Sequence, residues 1–192
     1  MLHDLVEKNR SYRRFDQSVT IPMEVLRELV DLARLSPSSG NLQSLRFMLF
    51  NGEDNHKVFA ALTWKAYYIG ENSPVEGERP SAYILMINDT EIMPDAGMNA
   101  AVAAQSILLG AVERGYGGCM FGKLKGRQLK RDLGLPDQYE VSLVVALGKP
   151  IETVVIEPAK PGGSIEYWTD DSLAHHVPKY SLDELIINKN FL

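Results

Sequence analysis

Apolar positions recur at helical spacing twice in the first part of the chain. Leu2, Leu5 and Val6 share one face of a short helix over Leu2 to Asn9. Val25, Leu26, Leu29, Val30, Leu32 and Ala33 form a longer stripe that Pro22 opens and Ser36-Pro37 stops. Arg46-Phe47-Met48-Leu49-Phe50 predicts a strand closed by Asn51-Gly52, and Asn55 to Trp64 predicts a helix. Ala82 to Ile87 is a continuous apolar run of strand length, the pattern of a strand buried on both faces. Pro94-Asp95 opens the longest helix, Ala96 to Arg114, which is small or apolar nearly all round. Such a helix is buried on several sides, and in a chain of this size that predicts a second subunit. Lys123 to Leu133 reads as a helix, Val141 to Leu147 as another buried strand. Val154-Val155-Ile156 and Ile165-Glu166-Tyr167-Trp168 predict a hairpin about Pro161-Gly162-Gly163, with a short helix from Leu182.

Strands separated by unequal helical blocks give an α+β fold in preference to a doubly wound sheet. No repeat or second domain interrupts the pattern, so residues 1–192 read as one domain. Glu71 to Pro80, rich in Pro, Gly and Glu, reads as an exposed mobile segment able to lie over a site. Asn99, Gln105 and Ser106 break the long helix, and no apolar run approaches the ~18 residues of a membrane span. A net charge of -5 and a pI near 5.4 argue against a general nucleic-acid binder. Cys119 is the only cysteine, so no intrachain disulfide or multi-cysteine zinc site forms and a reducing compartment fits best. The start of the chain is acidic where a signal peptide would be basic, which reads as cytoplasmic.

Against that acidic background, Arg10-Ser11-Tyr12-Arg13-Arg14-Phe15 is locally basic. Taken alone it is a solvated helix end, but forked guanidinium donors also match a phosphate monoester. Asn41 and Gln43 add amides suited to a heterocycle edge, and Gly115-Tyr116-Gly117-Gly118-Cys119-Met120-Phe121-Gly122 permits close backbone approach to a flat group. Together these describe a phosphorylated heterocycle. Competing chemistries are weaker. The glycine cluster follows a helix and lacks dinucleotide spacing, and Cys119 has no histidine placed to activate it. His175-His176 on an extended segment point to opposite sides, with only His3 and His56 elsewhere, so no metal site is expected. Ser36, Ser38 and Ser39 lack the turn of a hydrolase nucleophile. Trp64, Tyr67 and Tyr68 fit core and pocket wall equally.

The segments Arg10-Ser11-x-Arg13-x-Phe15, Pro37-Ser38-Ser39-Gly40-Asn41-Leu42-Gln43-x-x-Arg46-Phe47 and Gly115-x-Gly117-Gly118-Cys119-x-x-Gly122 resemble the FMN-dependent nitroreductase family, from Asn9 through Pro150. The resemblance implies an α+β fold with a central, mostly antiparallel sheet flanked by helices, in an intertwined homodimer with FMN at the subunit interface and the long helix as dimer axis. It implies that Arg10, Ser11 and Arg13 contact the phosphate and pyrimidine side of the flavin, joined at the phosphate by Lys179. Pro37, Ser38, Ser39 and Asn41 would approach from the opposite subunit, and the backbone at Gly117 and Gly118 would face the flavin near N5. Gln43 ranks lower, as loop support. A cation at the N1 edge stabilises reduced flavin, and Arg13 is the candidate. The implied activity is ping-pong transfer from NADH or NADPH to a small conjugated acceptor such as a nitroaromatic or quinone. The alternatives are FMN binding or sensing without turnover, or flavin-dependent dehydrogenation of a specialised metabolite. The chain departs from the family at Asn9, Tyr180 and Ser181, where cations are frequent, and at Ser44-Leu45 and Met120-Phe121, where the pocket wall differs.

Overall fold

The N-terminal stripe forms α1 (Leu2–Lys8), after which the chain extends into a two-residue strand, β1 (Phe15–Asp16). The stripe after Pro22 is α2 (Met23–Leu35), which buries Leu26, Leu29 and Ala33. It ends at Ser36 in extended backbone, as a residue preceding proline favours. Then follow β2 (Leu45–Phe50), α3 (Asn55–Ala61), β3 (Ala82–Asp89), α4 (Met98–Glu113), β4 (Gly117–Phe121), α5 (Gly126–Asp132) and β5 (Tyr139–Pro150). The computed structural model describes residues 1–160 and 162–187. Its contacts gather into two units: Met1–Thr63 with Pro74–Ile151, and Trp64–Ser73 with the chain from Glu152 onward.

In the first unit β2, β3 and β5 pair antiparallel, and β4 and β1 follow one another along the other edge of β5. Every residue of β3 is buried, which accounts for its unbroken apolar run. The α+β architecture with an antiparallel sheet is therefore as expected. Most of the glycine cluster, Gly117 to Phe121, is a sheet strand. A Cβ on Gly118 would lie 2.4 Å from the Ala146 carbonyl oxygen and 2.8 Å from Leu108 Cδ2, and one on Gly117 would lie 2.6 Å from the Tyr12 ring. Close packing inside the chain thus requires glycine at both positions.

Helix α4 buries Asn99, Ala100, Ala103, Ala104, Ile107, Leu108, Gly110 and Ala111 against its own chain. A Cβ on Gly110 would sit 2.3 Å from Leu32 Cδ1, so α2 and α4 approach closely there. Its small residues are used mostly within the protomer, contrary to the expectation that burial needs a second copy. Met98 (79% exposed) and Val102 (41%), one turn apart, remain open.

Residues 76–79 are tied down. The backbone N–H of Phe15 donates to the Glu78 carbonyl (2.9 Å) and that of Gln17 to Gly77 (3.1 Å). The Gln17 amide oxygen accepts from the backbone of Gly77 and Arg79, and Arg14 pairs with Glu78. This part of the expected mobile segment is an extra layer of backbone bonding on β1.

The second unit contains β6 (Val154–Pro158), β7 (Trp168–Thr169), β8 (His175–Lys179) and α6 (Leu182–Leu185). The predicted hairpin between Val154–Ile156 and the Trp168 region does not form. Instead β8 is central, parallel to β6 and antiparallel to β7. The turn is made by Asp170, whose Oδ1 accepts from the backbone of Ser172 and Ala174 (2.9 and 2.8 Å) and from the Ser172 hydroxyl (2.8 Å), returning β7 onto β8. Pro161 of the predicted turn lies outside the described residues. Trp64 is buried, Tyr67 is 86% exposed, and Tyr68 stacks edge-on to both Tyr67 and Tyr167.

Candidate functional site

The basic segment runs as an extended connection between α1 and β1 and is riveted to β4. Ser11 and Gly118 form a parallel bridge, and the Tyr12 N–H donates to the Gly118 carbonyl at 3.1 Å. The Tyr12 hydroxyl donates back to the Lys8 carbonyl (3.1 Å), bracing the exit from α1. Arg13 Nη1 donates to the Ser11 carbonyl (3.2 Å), which folds its guanidinium back over its own segment. Arg10 Nη2 donates to the Val6 carbonyl (2.8 Å), while its Nε is buried without a partner. A buried guanidinium donor lacking an acceptor is costly, and an anionic oxygen is the acceptor that suits it. Arg10, Ser11 and Arg13 are thus brought beside Gly117 and Gly118.

The second segment follows α2. The Ser36 hydroxyl donates to the Leu32 carbonyl (2.9 Å) and lies 2.7 Å from the Ser106 hydroxyl. After extended Ser38, Ser39–Asn41 makes a 3-10 turn in which Gly40 and Asn41 have φ of +56° and +55°, and Gln43 follows at +52°. Asn tolerates this left-handed conformation better than most residues, so the motif's Gly-Asn pair is a backbone requirement of the turn. The Gln43 amide donates to the Asn41 carbonyl (3.3 Å), and Arg46 Nη1 donates to the Gln43 carbonyl (2.8 Å). Gln43 therefore braces the loop.

Three residues that sequence reasoning used only to exclude a membrane span join these segments to one helix. The buried Asn99 side-chain oxygen accepts from the Ser39 backbone (2.9 Å) and hydroxyl (3.1 Å). Ser106 meets Ser36, and the Gln105 side-chain oxygen accepts from the Asn9 amide at 3.4 Å. The signal was the polar interruption of an apolar helix, which is costly unless hydrogen-bonded. Asn9 thus serves as a tie to α4.

Around this loop lies a cavity of about 420 Å³, lined by Pro37, Ser38, Asn41, Gln43, Arg46, Phe47 and Asn99 among others. Arg10, Ser11, Arg13, Gly117 and Gly118 do not line it. Within one protomer the cavity takes in Pro37, Ser38 and Asn41 but none of the first group. Lys179 ends β8 in the second unit. Cys119 is buried, and among the described residues no cluster of metal-ligating side chains and no helix long and apolar enough to cross a membrane occurs.

A model described as the nitroreductase family matches residues 6–149. The chain is 22% identical over 196 aligned residues to Bacillus subtilis YodC, which bears an NAD(P)H nitroreductase name, with 86% of this chain and 97% of that protein covered. A nitroreductase family protein from Streptococcus pneumoniae superposes with a TM-score of 0.72 at 13% identity, covering 98% of this chain and 100% of that one. An FMN-dependent nitroreductase from Clostridium difficile gives 0.62 at 22% identity over 77% and 86%. At these identities the solved structures establish the fold.

Proposed function

The chain belongs to the nitroreductase family, and from that membership we propose that it is an FMN-dependent oxidoreductase acting as a homodimer. The observation that carries the proposal is Arg10, whose partnerless buried Nε sits on a segment bridged to β4 beside Ser11 and Arg13. The donor set fits a flavin phosphate and the oxygen-bearing edge of its ring. Arg10 and Ser11 would hold phosphate oxygens, and Arg13 would place positive charge at the pyrimidine side. Pro37, Ser38, Ser39 and Asn41 would come from the partner protomer, in keeping with a cavity lined by Pro37, Ser38 and Asn41 but not by Arg10 or Arg13. The open stripe at Met98 and Val102 supports pairing of α4 with a second copy.

When bound, FMN would supply the chemistry of hydride transfer between NADH or NADPH and a small conjugated acceptor such as a nitroaromatic or quinone. The chain's own residues bind and orient. Asn99 and Ser106 fix the loop, Gly118 and Tyr12 fix the basic segment, and the charge of Arg13 would favour the reduced state of the ring. We assign residues 1–192 to one functional domain, acting in the cytoplasm.

An absorbance scan of the purified protein before and after anaerobic addition of each nicotinamide tests the proposal. Yellow protein that bleaches is expected. Protein that stays colourless and takes up no added FMN refutes it, and yellow protein bleached by neither nicotinamide supports holding without turnover.

A further inference from the structure

In the second unit the His176 ring stands between two carboxylates. Its Nδ1 lies 2.6 Å from Glu157 Oε1 on β6, and its Nε2 lies 3.2 Å from Asp170 Oδ2 in the turn between β7 and β8. One face stacks on Trp168 of β7, with centroids 4.9 Å apart and planes 4° from parallel. His175, next on β8, turns instead to Thr169 Oγ1 (3.4 Å) and the Tyr167 ring. A carboxylate oxygen only accepts, so both contacts are hydrogen bonds only when both ring nitrogens carry protons. Neutral imidazole would leave one lone pair facing a carboxylate. The geometry is that of an imidazolium, and its side chain is 16% exposed.

We infer that His176 is a proton-dependent positioning residue, which in its doubly protonated form clamps β6 and the β7–β8 turn onto β8 and so holds the strand end that carries Lys179. β8 and β6 meet again at that end, where the Ala159 N–H donates to the Lys179 carbonyl at 2.8 Å. Releasing Glu157 from His176 therefore loosens the strand pair one residue pair away, since Glu157 lies opposite Pro178 and Pro158 opposite Lys179. The hydrogen bonds to Asp170 and then Glu157 raise the affinity of His176 for its proton above the ordinary histidine value of 6.5. Asp170 itself is held down to about 2, first by the Ser172 hydroxyl and then by His176, so it stays ionised while the ring titrates. The clamp is thus complete below pH 6.5 and is lost as the pH rises through the raised value.

Histidine-ring nitrogen NMR on the full-length protein, titrated with alkali and assigned by the signal missing in His176→Gln, reads the clamp directly. The expected midpoint for His176 lies above 6.5, and Glu157→Gln lowers it. A midpoint at or below 6.5, or one indifferent to Glu157→Gln, overturns the clamp. Amide hydrogen exchange at Ala159, whose N–H donates to the Lys179 carbonyl, reads its consequence. The Ala159 protection factor should fall across the same step and show no step in His176→Gln. A normal His176 step with unchanged Ala159 protection overturns the positioning role.

Discussion

Replacing Gly118 with alanine puts a methyl group 2.4 Å from the Ala146 carbonyl oxygen, a full ångström inside the 3.4 Å at which ordinary contact begins. The obstructing atom is backbone of the paired strand β5, so relief requires displacing the ladder between β4 and β5. Leu108 Cδ2 at 2.8 Å and Leu147 Cδ2 at 2.9 Å close the other directions. Overpacking of this kind costs about 1–3 kcal/mol, and with backbone among the clashing atoms the upper part of that range applies. For a chain of this size about 3 kcal/mol corresponds to a fall in Tm of roughly 6–12 °C. At an unstrained position the same change would stabilise by about 0.4–1 kcal/mol through the unfolded chain, so the sign alone is informative. Gly122 provides the control, because a Cβ there meets nothing within 4 Å. Thermal unfolding of Gly118→Ala and Gly122→Ala, each with and without added FMN, separates the two uses of the glycine cluster. If Gly118→Ala unfolds at the wild-type temperature and loses only FMN affinity, the packing argument is wrong and the glycine is present for the cofactor alone.

Asn99→Ala removes the acceptor for both the backbone and the hydroxyl of Ser39. It should cost about 1–3 kcal/mol in urea unfolding and weaken FMN binding through the displaced loop; an unchanged midpoint and affinity would show that the loop holds itself. Asp170 contributes stability that is fully present above its ordinary value of 3.8 and lost as the pH falls through about 2. Far-ultraviolet circular dichroism during acid titration should therefore show Asp170→Asn less sensitive than wild type between those values, and superimposable curves would contradict the turn's assigned role.

Much of this architecture was legible because periodicity and burial agree. The stripe of α2, the unbroken run of β3 and the buried strand of β5 each carry their pattern in consecutive residues. The motif segments were legible for the same reason, since arginines, amides and glycines stood out against an acidic, apolar chain. What escaped was carried by partners distant in sequence. β4 was not legible as a strand because glycine is uncommon in strands, and only its packing on Ala146 and Leu108 explains the choice. The C-terminal hairpin was misplaced because Pro161-Gly162-Gly163 advertises a turn more loudly than Asp170-Asp171-Ser172, whose turn depends on a side chain accepting three hydrogen bonds. Asn99, Gln105 and Ser106 showed as polar residues in an apolar helix, but what they hold lies 60 to 96 positions away.

The proposed division of each site between two protomers is tested most directly by subunit complementation. Arg13→Ala and Asn41→Ala homodimers should each retain little FMN. Mixed and allowed to exchange, they form heterodimers in which one site carries both substitutions and the other neither, so flavin absorbance should return with up to one FMN per heterodimer. A mixture that exchanges subunits yet stays as colourless as its parents would contradict a site shared between Arg10–Arg13 of one chain and Pro37–Asn41 of the other.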